Sequence, residues 1–302
     1  MANIKSWLQA FRLRTLPLAM SSILMGVFVA FSDNEFSLSI SIVAVITTLF
    51  LQILSNLAND YGDSNHGVDN ENRIGPKRAV QSGAISPKQM KLAVIIFALL
   101  SFFCGIFLLI ISFDSSALNL KFILFLILGI AAILSAIKYT AGNNPYGYSG
   151  FGDLFVFIFF GLVAVLGTYY LNANTLKWDV VLPAISMGFL STGVLNLNNM
   201  RDIDNDRMNN KITIVVKMGI AKARYYHLFL ITIAILSTTI YTVINYSSAW
   251  QFVFLVSMPL FYRNIVATFK NSNQKDLNPL LQQLAIATLI FTVLFGAGVF
   301  LK

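Results

Sequence analysis

The chain is organised around nine apolar runs, each about as long as a bilayer is thick. A helix needs roughly 20 mostly apolar residues to cross the hydrocarbon layer. Such runs fall near residues 15–32, 37–58, 91–112, 120–141, 152–171, 179–199, 225–246, 249–268 and 281–301, the eighth interrupted by Pro259 and Arg263. Only 11% of residues are charged, against about a quarter in soluble domains, and the mean hydropathy is +0.72. That leaves too little polar surface to coat a globule in water. The expected class is therefore an all-α integral membrane protein of nine transmembrane helices, because helices satisfy their own backbone inside lipid. No small-residue cleavage site follows the first run, so it is expected to stay. The lone cysteine, Cys104, excludes an intramolecular disulfide and reads as a small core-filling side chain.

The charge pattern orients these runs. With the N-terminus inside, all of the 21 Lys and Arg residues except Lys121, Lys177 and Lys302 fall in inner segments, as the positive-inside rule expects. The net charge of +8 is thus spent on topology, and no nucleic acid partner is expected. The reading is a multi-pass protein of the cytoplasmic membrane with a cytoplasmic N-terminus. Residues 1–302 read as one transmembrane domain. Two inner connections, near 59–90 and 200–224, are long and polar, whereas the outer ones are short. Long polar connections on one face carry function more often than structure. They follow spans two and six, which suggests two four-helix halves and an added ninth helix.

Those two connections hold Asp60, Asp63, Asp69 and Glu71, and then Asp202, Asp204 and Asp206, out of 13 acidic residues in all. Asn59 and Asp63 are spaced i, i+4, as are Asp202 and Asp206, so each pair shares a helix face if the helix reaches that far. Oxygen-only ligands suit hard divalent cations, and magnesium commonly takes one or two carboxylates and completes its shell with water and phosphate. The two histidines, His66 and His227, make no zinc pattern. Basic residues intermingle with the acids: Arg73, Lys77 and Arg78 after the first cluster, Arg201, Arg207 and Lys211 around the second. Acids for a metal beside bases for phosphate suggest a diphosphate site. The competing reading of one such cluster alone is a solvated charged face.

The stretch NDYGDSNHGVDNENRIGPKRAVQSG, residues 59–83, resembles the first motif of the UbiA superfamily of membrane prenyltransferases, and NNMRDIDNDRMNNKIT, residues 198–213, resembles the second. The Asp63–Asp69 spacing, the GPKRAVQSG tail, RLRTLPLA at 12–19 and GFGDLFVFIFFGLVAVLGTYY at 150–170 are similar to the subgroup that prenylates dihydroxynaphthoate. Two departures are YTAGNNPYGYSG after span four and Asn210 where glycine is common.

The resemblance implies nine helices around a central cavity that opens to the cytoplasmic side and laterally to lipid. It implies transfer of a polyprenyl group from polyprenyl diphosphate to 1,4-dihydroxy-2-naphthoate with decarboxylation, giving demethylmenaquinol. Asn59, Asp63, Asp69, Asp202 and Asp206 match its metal positions for Mg2+. Asp60, Arg73, Lys77, Arg78, Asn198 and Lys211 are candidates for substrate contacts. Tyr139, with Tyr146 and Tyr148, is placed to face an allylic cation or to anchor at the interface. Asp153 either orients an acceptor hydroxyl or caps its helix, and Lys138 or Arg14 pairs with the acceptor carboxylate. The Phe-rich run 155–160 reads as packing or lipid-facing surface. Other readings are a hydroxybenzoate or homogentisate acceptor and, outside this class, a secondary transporter.

Overall fold

A computed structural model describes residues 3–69, 74–113 and 119–302. Every regular element among them is helical. In chain order these are α1 (Ile4–Phe11), α2 (Leu16–Ser32), α3 (Leu38–Asn65), α4 (Pro87–Ser112), α5 (Leu120–Lys138), α6 (Gly152–Val156), a π-helical segment (Phe157–Leu166), α7 (Gly167–Ala173), α8 (Val181–Arg201), α9 (Ile203–Met208), α10 (Ile214–Ile244), α11 (Met258–Lys270) and α12 (Leu277–Phe300). Joined across short turns, they make nine stretches among the described residues that are long and apolar enough to cross a membrane. The protein is a multi-pass membrane protein.

The apolar runs locate the spans, and local chemistry sets their ends. Ser86 and Gln89 form a reciprocal capping box with Pro87 in the first turn of α4, which satisfies amide donors that a helix start leaves open. Pro259 does not break the eighth span but opens α11, after a 3-10 stretch over Ala249–Ser257. The first span is preceded by a separate short helix, α1, which ends where Arg12 takes a left-handed conformation. The second span runs well past its apolar part to Asn65, and α10 is broken at Gly219 (φ 77°, ψ 162°), so a short helical piece from Ile214 precedes the seventh span.

The core is centred on α8, which packs against α10, α12, α2 and the π segment. Small residues allow this. A Cβ at Gly161 would stand 2.6 Å from the Ala184 carbonyl oxygen and 2.7 Å from Gly188 Cα, so the two helices cross at backbone contact, as small residues permit in lipid. α8 leads into the second acidic motif, and this tight crossing fixes its position against the π segment.

Candidate active site

The first motif is built by the way α3 ends. Because the helix continues to Asn65, Asn59 and Asp63 lie one turn apart on one face. It stops at Gly67, whose φ is 71°. The Gly67 N–H donates to the Ser64 carbonyl at 3.2 Å and the Val68 N–H to that of Asp63 at 3.0 Å, the bond pair of a Schellman turn. A Cβ at Gly67 would meet nothing within 4 Å, so it is the sign of φ that calls for glycine. The turn brings Asp69 back over Asp63, and the Arg78 guanidinium spans both, 3.6 Å from Asp63 Oδ2 and 3.6 Å from Asp69 Oδ1. The six-residue spacing of the two acids is thus a helix end folded back on itself.

Neighbours hold this face in place. Gly62 sits against the Thr140 backbone, which a Cβ there would approach to 2.6 Å. Thr140 Oγ1 donates to Asn59 Oδ1 at 3.1 Å and the Tyr148 hydroxyl to Asp63 Oδ1 at 2.8 Å. Asp60 points elsewhere: its oxygens accept the Ala79 and Val80 amides at 3.0 and 3.2 Å, so it ties down the loop that carries Arg78. Lys77 is exposed, and Arg73 lies outside the described residues.

The second motif repeats the device. α9 ends at Asn210, with φ 54°. The Asn210 N–H donates to Arg207 at 3.3 Å and the Lys211 N–H to Asp206 at 2.8 Å. Asn210 therefore does the work of a glycine, since asparagine tolerates the left-handed region. The motifs are joined directly: Asn205 Nδ2 donates to the Val68 carbonyl at 2.9 Å, and the Ile212 N–H to Tyr148 at 2.9 Å. Lys211 Nζ lies 3.3 Å from Asp206 Oδ1. Asp202 is gripped by its neighbour Arg201, with Nε to Oδ1 at 2.8 Å. The same guanidinium donates to Asn198 and Asn278, each at 2.8 Å, so Asn198 orients Arg201.

Charges in this cluster are mutually dependent. Burial raises the Asp206 carboxyl to about 6, against the opposing pull of Lys211. Burial alone would lower the Lys211 ammonium, but Asp206 and Asp63 outweigh it and hold it above its ordinary value. Burial, then the Asp63 charge, pushes the Tyr148 phenol up, so it stays a neutral donor to Asp63. Burial likewise keeps Tyr139 neutral.

The donor set fits a hard divalent cation. Asp206 is 1% exposed; Lys211 compensates its Oδ1 at 3.3 Å, while Oδ2 accepts no hydrogen bond from the described residues, which is costly unless a ligand completes it. Among the described residues no three acidic, His or Cys side chains close a cage.

Beyond the cluster lies an apolar cavity of about 670 Å³, bounded by α2, α3, α4, α5 and the α6–π–α7 span. Its mouth holds Asn59, Tyr139 and Tyr146. Tyr146 stacks on Phe155 at 4.0 Å and meets Tyr139 edge-on at 5.4 Å. Phe155, Phe159 and Phe160, from the run read as packing or lipid-facing surface, line this cavity. A glycine explains how Tyr139 fits: its hydroxyl lies 3.2 Å from where a Gly152 Cβ would be. The adjacent Asp153 is buried and accepts the Tyr226 hydroxyl at 3.2 Å. Lys138 is exposed at the end of α5. A second, more polar cavity of about 580 Å³ is lined by Arg12, Arg14, Lys77, Arg78, Asn198 and Arg201, among others.

Sequence reasoning missed Thr140, Asn205 and Tyr226. Asn205 stands inside the second motif and could have been weighed. Thr140 and Tyr226 touch partners 81 and 73 residues away, with no local signal.

The class of protein this defines is a helical membrane protein with an apolar cavity, two of whose lining residues, Asn59 and Tyr139, adjoin a cluster of buried carboxylates and cations. The chain belongs to the UbiA prenyltransferase family, which matches residues 19–299. It is 40% identical to the 1,4-dihydroxy-2-naphthoate octaprenyltransferase of Escherichia coli over 100% of this chain and 97% of that protein. It is 39% identical to that of Haemophilus influenzae over 98% and 96%. In fold it is similar to a UbiA homologue from Aeropyrum pernix, with TM-score 0.67, 17% identity, and 100% and 99% of the chains covered. A homologue from Archaeoglobus fulgidus solved with DMAPP and Mg2+ gives TM-score 0.60 at 18% identity, with 98% and 100% covered.

Proposed function

We propose that this chain transfers a polyprenyl group from polyprenyl diphosphate to 1,4-dihydroxy-2-naphthoate, releasing diphosphate and carbon dioxide and giving demethylmenaquinol. The observation that carries this reading is the pair of matched acidic turns facing each other at the mouth of the apolar cavity. The full-length likeness to two dihydroxynaphthoate octaprenyltransferases supports the acceptor. The acids lie at helix ends beside a lipid-sized cavity rather than along a path at mid-membrane, which speaks against a transporter.

Asn59, Asp63, Asp69, Asp202 and Asp206 are the residues that would hold Mg2+, with Asp202 giving up part of its pairing to Arg201. Bound there, the metal supplies countercharge to the diphosphate as it leaves. Arg78 and Lys211, each already paired with an acid of the cluster, turn to phosphate oxygens once the acids are otherwise neutralised. The allylic C–O bond breaks, and the electron pair departs with the diphosphate. Tyr139, Tyr146 and Phe155 present π faces to the developing cation in a water-poor mouth. The acceptor carbon bearing the carboxylate forms the new C–C bond, and the carboxylate leaves as carbon dioxide, returning its electron pair to the ring. Asp153 lines neither of the two cavities and is buried against Tyr226, which favours a structural role over contact with an acceptor hydroxyl. Arg14 and Lys138 are both exposed, and Arg14, which lines the basic cavity, is the candidate to meet the acceptor carboxylate. The N-terminus and both acidic loops face the cytoplasm.

Transfer of a radiolabelled polyprenyl group, assayed with and without Mg2+ against dihydroxynaphthoate, hydroxybenzoate and homogentisate, tests this. A decarboxylated naphthoate product that requires the metal is expected. Product with another acceptor only would move the substrate, and no product with any acceptor from folded protein would refute prenyl transfer.

A further inference from the structure

The apolar cavity has a built floor. On α5 its lining runs from Tyr139 to Phe125, fourteen residues or roughly 21 Å of helix at 1.5 Å per residue. Toward the far end, where Leu171 and Leu176 also line the cavity, Phe125 stacks on Tyr170 of α7, with centroids 5.2 Å apart and planes at 24°. Phe113 meets Phe125 edge-on at 5.5 Å, and Lys121 Nζ lies 5.6 Å from the centre of the Tyr170 ring. The rings of the stack are therefore braced from behind by a third ring and a cation, which makes the floor stiffer than aliphatic side chains would.

The shaft above it is kept open by missing side chains. Gly105 on α4 and Gly129 on α5 line the cavity, and a Cβ at either would meet nothing within 4 Å. Along the side, α5 packs on α3 and α4 and has no buried residue. Its ring contacts to the α6–π–α7 span sit at the two ends, Tyr139–Tyr146–Phe155 at the mouth and Phe125–Tyr170 at the floor. Between them α5 makes no such ring contact among the described residues, and the helices it packs on are α3 and α4 rather than the π segment, so the shaft has a side gap there.

We propose that the Phe125–Tyr170 stack sets the isoprenoid chain-length preference of the enzyme. Resting on the prenyl-transfer reading above, the donor's diphosphate is held at the mouth and its tail descends the shaft. A tail that ends above the stack lies wholly in protein. A longer one meets the rings and bends out between α5 and the π segment. Preference is then decided by how far the floor lies from the mouth.

The test is the ratio of kcat/KM for octaprenyl diphosphate to that for geranylgeranyl diphosphate, measured in proteoliposomes at saturating acceptor. Tyr170→Leu deepens the shaft and is expected to raise the ratio at least about fivefold, the scale of one or two buried methylenes. Gly129→Leu raises the effective floor and is expected to lower it by a similar factor. Opposite shifts in two variants of one helix pair are not produced by a general loss of packing. Dimethylallyl diphosphate, too short to reach the floor, reports whether the transfer site is intact in each variant. A ratio within twofold of wild type, in either variant that still transfers the dimethylallyl group, overturns the proposal. Wild-type protein that transfers no prenyl group from any donor would instead refute the functional reading.

Discussion

The two acidic motifs share a backbone and differ in chemistry. Each follows a long helix, each closes with the same paired hydrogen bonds, and Asp63 and Asp206 occupy the same position in their turns. Beyond the turn they diverge. The first motif presents a second acid, Asp69, and borrows its cation from Arg78 in the following loop. The second presents a base, Lys211, which folds onto its own Asp206. The first is thus an acid pair with a detachable counterion. The second is an acid–base pair whose carboxylate is deeply buried, with Oδ1 against Lys211 and Oδ2 accepting no hydrogen bond from the described residues. Repetition of a turn supplies geometry, and the residue placed just after it decides charge.

The most forceful way to break the comparison is to remove the equivalent acids. Asp63→Ala and Asp206→Ala should each lower kcat for prenyl transfer by about a thousandfold, the scale of lost transition-state charge stabilisation. If one variant kept near-normal turnover with the protein folded, the motifs would not be catalytic equals.

The pH response should separate them next. Asp206, raised to about 6 by burial, must be ionised to bind a cation. The Mg2+ concentration for half-maximal activity should therefore rise by up to about tenfold per unit as pH falls below 6. In the metal-free protein the sign for stability is opposite. A carboxyl raised in the folded state favours folding below its unfolded value near 3.8, and that contribution is lost as pH rises through about 6. Lys211→Met removes the charge that pulls Asp206 down, so it should move the acidic limb of the magnesium titration to higher pH. An unmoved limb would show that another group governs it.

Asn205→Ala should loosen the link between motifs. It leaves the Val68 carbonyl without the Asn205 amide, a change of about 1–3 kcal/mol for a buried group. Unfolding in mild detergent should report lower stability, and transfer should fall even though Asn205 is not among the proposed metal ligands. An unchanged variant would mean that the helices alone keep the motifs aligned.

The smallest effects belong to the turns. Gly67→Ala has room for its methyl group but not for its φ, and should cost about 1 kcal/mol. Asn210→Gly should change stability by only a few tenths, because the asparagine already tolerates that conformation. Equal losses at both sites would remove the argument that the two turns are the same device.

Much of this site was legible in the chain. The apolar runs located nine spans, since a bilayer imposes a length that composition must meet. The spacing Asn59-xxx-Asp63 put both groups on one helical face because α3 does continue to Asn65. The start of α11 at Pro259 was less legible: a proline inside an apolar run marks either a break or a beginning, and only neighbours choose. Asp60 reads in the sequence as a substrate contact beside the metal position Asp63, yet it is consumed by two backbone amides while Asp63 faces the cluster. Their difference is a rotation about the helix axis that a linear spacing does not reference to the rest of the molecule.

The sequence by itself thus determined the solvent, the number of spans, and the identity and local geometry of the acids, because hydrophobic length and helix-end rules act over a few residues. Tertiary structure alone decided which acids face each other, which are already paired, and where the cavity ends. Those properties depend on contacts such as Asn205 to Val68, Thr140 to Asn59 and Phe125 to Tyr170, which join distant parts of the chain through packing. Close crossings at glycine fix α8 against the π segment, and no local pattern records what will stand opposite.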